Sequence, residues 1–190
     1  MTDNMNGRSG LSPTATAIAA AVGGIAIGLA ANVGRKSLMQ GIEASYGNWD
    51  DMLKAEHDAT IMIFDKLYET SEAQTTKRKM LFVQLKHALS KHAHEEENVV
   101  YPAMRQNGLG EEADHLNRDH GYVKQFLFEL GAIKPSDPAW MPKLREFRAQ
   151  LEEHVREEET ELFPQLREKL GEEGNAKVTA AVNKEGFIAA

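Results

Sequence analysis

The sequence predicts an all-α protein whose main body is an up-down-up-down four-helix bundle. Three observations predict it. Long stretches between the clustered Gly and Pro residues are rich in Ala, Leu, Glu, Lys, Gln and Arg, the strong helix formers. No run alternates Val, Ile and Thr as a half-buried strand would. From Trp49 onward, apolar residues recur at the i, i+3, i+4, i+7 spacing of a helix with one buried face. The 190 residues suffice for one sizeable core and an appendage.

Residues 1–13 are polar and read as a disordered N-terminus. Residues 14–36 read as an Ala/Gly-rich apolar helix, with no charged residue between Ser9 and Gly34. Twenty helical residues from Thr14 to Val33 would span about 30 Å, the hydrocarbon thickness of a bilayer. Ala20, Gly24 and Gly28 share one face at i+4, a spacing that lets helices approach closely. The segment is expected to associate with a membrane or to join copies of the chain into a homo-oligomer. A cleaved export signal and an extra helix packed on the bundle are the alternatives. Arg35 and Lys36 favour a cytoplasmic bundle. Residues 37–48 form a linker.

The bundle occupies residues 49–170. Helix A is expected over Trp49–Glu69, helix B over Thr76–Arg105, helix C over Glu111–Leu130 and helix D over Ala139–Leu170. The connections between them are short and carry Gly, Pro, Ser and Asp, which favours antiparallel neighbours. Residues 171–190 form a tail with a short helix over Glu172–Asn183.

Composition excludes several function classes. A formal net charge of −7 argues against nucleic acid as a partner. With no cysteine, there is no disulfide, thiolate metal site, iron–sulfur cluster or cysteine nucleophile. Any metal must be held by nitrogen and oxygen.

An internal repeat points to such a site. Helix B carries His92, Glu96 and Tyr101-Pro102; helix D carries His154, Glu158 and Phe163-Pro164, at the same spacings. Each is preceded by a helix with one inward histidine, His57 or His120. All six residues fall within the apolar stripes, which run Leu53, His57, Ile61, Phe64, Tyr68 in A and Leu85, Leu89, His92, Glu96, Val99 in B. They run Leu116, His120, Val123, Leu127, Leu130 in C and Phe147, Leu151, His154, Glu158, Leu162 in D. Depth agrees: successive histidine pairs have midpoints at Gln74–Thr75, Gln106 and Asp137, each in or at a connection, so all four fall near one level. A two-residue error in a turn would shift that level by only about 3 Å. Buried carboxylates without partners are very unfavourable, and shared divalent cations would compensate them. His92 with Glu96, and His154 with Glu158, stand at i, i+4 and share a helix face. Imidazole and carboxylate donors suit iron or manganese, with zinc as a further alternative.

His87, His94 and His115 lie off the stripes and read as solvated; His94 faces about 160° from His92. The remaining acids of Glu95–Glu97 and Glu157–Glu159 read as solvated, and Tyr101 and Phe163 as packing residues.

Over Trp49–Leu170 these motifs resemble the hemerythrin-like family, the HHE cation-binding domains. The carrying residues are Glu56-His57-Asp58, His92 and Glu96 with Tyr101-Pro102, Asp119-His120, and His154 and Glu158 with Phe163-Pro164. The resemblance implies a carboxylate-bridged pair of iron ions, one on His57 and His92 and one on His120 and His154, with Glu96 and Glu158 as bridges. Oxygen-carrying members add a histidine one turn before the helix C ligand, where this chain has Leu116, and often an Asp at i+5 of the last motif, where it has Glu159. The site is therefore expected to be a more symmetric variant that engages dioxygen or peroxide. A peroxide- or iron(II)-oxidising enzyme and an assembly protein with a structural metal are the alternatives.

Overall fold

The structure, a computed structural model, describes residues 47–189. The apolar helix expected at 14–33 and most of the linker lie outside them. Among the described residues there is no strand, and no helix is long and apolar enough to cross a membrane.

Helix α1 spans Trp49–Tyr68 and α2 spans Thr75–Glu95. A π-helical turn at Glu96–Val100 continues α2 into α3, Tyr101–Gln106. Helix α4 spans Gly110–Ala132 and α5 spans Trp140–Glu157. A second π turn at Glu158–Leu162 leads into α6, Phe163–Ala189. The expected helices B and D are thus each interrupted by one wide turn. Proline explains the interruption. Pro102 and Pro164 have no N–H for the carbonyl four residues back, and an α-helical ring there would collide with it. The preceding amides, Tyr101 and Phe163, instead donate to the carbonyls of Glu96 and Glu158, five residues back.

The expected tail is corrected. Helix α6 breaks at Gly171, whose φ of 60° falls where glycine is favoured, and then runs on to Ala189 rather than stopping at Asn183. Asn175 Nδ2 donates to the freed carbonyls of Arg167 and Gly171, at 2.8 and 2.6 Å. Val178 and Val182, one turn apart, bury themselves in the core. Beyond Gly171 the chain is held against the start of α1: Trp49 Nε1 donates to Asn175 Oδ1 at 2.8 Å, and Trp49 N to Thr179 Oγ1 at 3.1 Å.

The core is two clusters along the bundle axis. One gathers Trp49, Leu53, Tyr101, Leu116, Phe163 and their neighbours. The other gathers Phe64, Leu85, Leu89, Phe126, Phe147, Leu151 and theirs. Because neighbouring helices are antiparallel, the level of His57, His92, His120 and His154 falls between the two. The α1 stripe is shifted slightly, with Thr60 and Leu67 buried where Ile61 and Tyr68 were expected. Past Glu96 the stripe passes through Val100 rather than Val99, because the wide turn changes the register.

Candidate metal centre

All four histidines are buried, and Glu96 and Glu158 have no exposed surface. Each histidine directs Nε2 inward. His57 and His92 bring their Nε2 atoms within 2.8 Å of one another. Glu96 Oε2 lies 3.2 Å from Nε2 of both His92 and His120. Glu158 Oε2 lies 3.4 Å from Nε2 of both His57 and His154. Each carboxylate therefore touches one histidine from either half of the repeat. Donor atoms gather into two sets within 4.8 Å: His57, His92, Glu96, Glu158 and Glu96, His120, His154, Glu158. Both glutamates belong to both sets. The six residues singled out from sequence are thus brought together.

The π turns put these glutamates in place. Each begins at a glutamate of the centre. In an α-helix the residue five positions on would lie about 140° around the axis; the wide turn brings it back over the same face. Tyr101 therefore reaches the centre, which its reading as a packing residue missed. Its hydroxyl lies 2.9 Å from Glu158 Oε1, 3.3 Å from Glu96 Oε2 and 3.0 Å from His120 Nε2. Phe163, its counterpart in the repeat, stacks on the His57 ring at 6.3 Å between centroids.

The outer nitrogens face a ring of acids. His57 Nδ1 lies 2.8 Å from Glu159, His92 Nδ1 3.0 Å from Glu56, and His120 Nδ1 3.0 Å from Glu97. His154 Nδ1 faces Asp119 at 3.6 Å, beyond a hydrogen bond. Such partners fix the ring orientation and raise the basicity of a ligating imidazole. The reading of Glu97 and Glu159 as solvated is corrected here, as is that of Glu95, which is fully buried. Asp and Glu directly beside the histidines were the available signal, but a helical wheel alone places them on the flank.

Behind His92 the ring is sealed. Lys91 bonds both Glu56 and Glu95, the latter at 2.8 Å, and Gly186 of α6 lies so close that any side chain there would overlap Glu95. The other histidines lie off the centre as expected, though not free of partners. His94 meets Glu185 at 3.0 Å, and the half-exposed His115 lies 3.3 Å from Glu157.

Electrostatics follow from these contacts. Burial would hold His120 uncharged, but its bonds to Glu96 and Glu97 push it up to about 9. Burial and the neighbouring His92 oppose charge on His57, yet Glu158 and Glu159 raise it; Glu96 and Glu56 outweigh burial to raise His92 strongly. Burial works against ionised Glu56, but His92 and Lys91 bring it down to about 2. Burial and the adjacent Glu56 charge push Glu95 up to about 8 against the pull of Lys91. Burial, Glu158 and Glu96 hold the Tyr101 hydroxyl protonated. Glu96 Oε1, Glu158 Oε2 and both nitrogens of His154 are buried without a hydrogen-bond partner. Of these, Glu158 Oε2 and His154 Nε2 lie 3.4 Å apart, and unpartnered ligand atoms that face one another in this way are the arrangement a cation satisfies.

Fold and site together define a helical-bundle protein with a buried, all-nitrogen-and-oxygen cluster of cation-ligating type. Residues 50–166 match the hemerythrin HHE cation binding domain, and the chain belongs to that family. It is 30% identical over 137 residues to a protein named DNA nickase from Nostoc sp., covering 72% of this chain and 38% of that one. It is 30% identical over 100 residues to an uncharacterized hemerythrin-like protein of Schizosaccharomyces pombe, covering 50% of this chain and 49% of the other. The chain thus spans less than half the length of either curated relative. Among solved structures, an HHE cation binding domain-containing protein from Mycobacterium kansasii shares the fold, with a TM-score of 0.61 at 24% identity over 73% of this chain and 87% of that one.

Proposed function

We propose that the centre binds two iron ions and engages dioxygen or peroxide. His57 and His92 would hold one ion, His120 and His154 the other, with Glu96 and Glu158 shared. The observation that carries this is the pair of donor sets with both carboxylates in common. Two shared ions would satisfy the unpartnered carboxylate oxygens and His154 Nε2 together. Iron suits imidazole and carboxylate donors and supplies redox change and open coordination positions. The chain's own part is to orient four imidazoles through outer acids, to exclude bulk water with two apolar clusters, and to hold the Tyr101 proton between the shared glutamates.

The Tyr101 hydroxyl also supports an oxidase reading, in which peroxide or iron(II) is consumed, because a proton donor sits within reach of both carboxylates. The Nostoc relative's name refers to DNA, but the overlap covers 38% of that protein, and a net charge of −7 supplies no excess of cations for phosphates.

The test is anaerobic loading with iron(II), metal analysis, and optical spectra before and after air. Two ions per chain and a charge-transfer band that reverses on removing oxygen support reversible binding. Sustained consumption of peroxide or iron(II) supports the enzyme. No spectral change on aeration ends the reversible-binding reading, and no turnover of peroxide or iron(II) ends the enzyme reading.

A further inference from the structure

The internal repeat leaves a second cluster of donors outside the centre. In the first half, Glu56 and Glu95 stand beside His92, and the Lys91 ammonium bonds both, the latter at 2.8 Å. The second half repeats the two acids: Asp119 precedes His120 as Glu56 precedes His57, and Glu157 precedes Glu158 as Glu95 precedes Glu96. It does not repeat the cation. The residue matching Lys91 is Glu153, which is exposed and faces Arg156 at 3.5 Å. Among the described residues, no ammonium or guanidinium pairs with Asp119 or Glu157.

An imidazole stands there instead. His115 lies one turn before Asp119 on the same face of α4. Its Nε2 is 3.7 Å from Asp119 Oδ2 and 3.3 Å from Glu157 Oε2. Both distances exceed the usual range of an N–H···O bond. Around one cation with bonds of about 2.1 Å, they correspond to angles of about 125° and about 105°, close to tetrahedral. The donor atoms of all three residues lie within 4.8 Å of one another. Asp119 is also the outer acid least committed to the centre. His57, His92 and His120 each have an acid 2.8–3.0 Å from Nδ1. His154 has Asp119 at 3.6 Å, and its Nδ1 has no hydrogen-bond partner although the residue is only 4% exposed. His115, Asp119 and Glu157 are partly exposed, so water can complete a coordination shell.

We propose that His115, Asp119 and Glu157 form a further cation site, separate from the two inner donor sets, that takes one divalent transition-series ion where the first half places the Lys91 ammonium. One imidazole and two carboxylates suit zinc or iron(II). Magnesium and calcium favour shells of oxygen alone. The ion neutralises an acid pair that no side-chain cation reaches, and Asp119 then stands between it and His154. The acids outside the centre are thus tied by an ammonium in one half and by a metal in the other. The proposal rests on this cluster alone and does not depend on what fills the centre.

The experiment uses full-length, metal-free protein and zinc(II). Zinc bound per chain is counted by equilibrium dialysis. His115→Ala should bind one ion fewer than the unsubstituted protein, and Glu157→Gln should weaken that ion at least tenfold. Glu153→Lys removes none of the three donors and supplies the ammonium that the first half has, so it too should displace one ion. The same number of ions in the unsubstituted protein, His115→Ala and Glu153→Lys overturns the proposal. Crystals soaked in zinc and measured on both sides of its absorption edge give the location. An anomalous peak among His115, Asp119 and Glu157 supports the site, and no peak there overturns it. Zinc at this cluster but not among the inner histidines counts against the metal reading of the centre alone. Zinc among the inner histidines but not here overturns this proposal alone.

Discussion

The two halves of the repeat build matching inner sets and mismatched surroundings. His57, His92 and Glu96 on one side and His120, His154 and Glu158 on the other occupy equivalent places. Around the first half, Glu56 bonds His92 and is itself bonded by Lys91, with Glu95 and α6 packed behind. Around the second, Asp119 stands 3.6 Å from His154 and pairs outward with the half-exposed His115. The aromatic that closes each motif also differs by one oxygen atom, Tyr101 against Phe163. A duplicated motif thus sets where the donors stand, while unrepeated residues set how firmly each is held and what lies over it.

Substitutions separate these contributions. The largest effect is expected for Glu158→Ala, which removes a donor from both sets: metal analysis after dialysis should show both ions lost. His57→Ala or His154→Ala should preferentially remove one ion. Equal loss in all three would break the view of shared carboxylates. Next come the outer acids. Glu56→Gln should weaken metal affinity by about 10- to 100-fold. Asp119→Asn should weaken it far less, because its contact with His154 is already long; equal losses, measured by chelator competition, would erase the difference between halves. Tyr101→Phe leaves buried acceptors unsatisfied and should destabilise the metal-free protein by about 1–3 kcal/mol in urea titrations. Phe163→Ala should destabilise through lost packing and leave the Glu96 and Glu158 hydrogen bonds intact.

The smallest effect is on pH dependence, and the halves should differ there too. Glu95 is raised from an ordinary value of 4.5 to about 8. Folded protein therefore holds that proton more tightly than unfolded protein does. The associated stability is complete below about pH 4.5 and is lost as pH rises through 8. Glu56 is lowered from 4.5 to about 2, so its contribution is present above 4.5 and is lost as pH falls toward 2. In metal-free protein, Glu95→Gln should flatten the decline between pH 4.5 and 8 and leave the acid limb in place. An unchanged slope would refute the assignment to Glu95.

The sequence made the bundle and all six inner residues legible, because helical period, turn positions and the repeat reinforce one another. His57 and His120 were found through depth, and Glu96 and Glu158 through the i, i+4 pairing. Tyr101 was missed because the wheel assumes a uniform turn, whereas Pro102 forces a wider one. The outer acids were missed because a flank position is polar whether it meets water or an imidazole. Beyond Gly171 the helix was legible as far as Asn183, but its run on to Ala189 was not, because Lys184, Glu185 and Gly186 interrupt the apolar pattern.

The attachment of Trp49 to Asn175 and Thr179 links positions 126 and 130 residues apart. A nascent chain emerging from the ribosome therefore cannot finish its first helix's packing until α6 has been made. Until then Lys91 and Glu95 stay wet, and the lattice of acids behind His92 has no lid. Sealing of the polar groups behind His92 thus waits on the segment that carries Gly186.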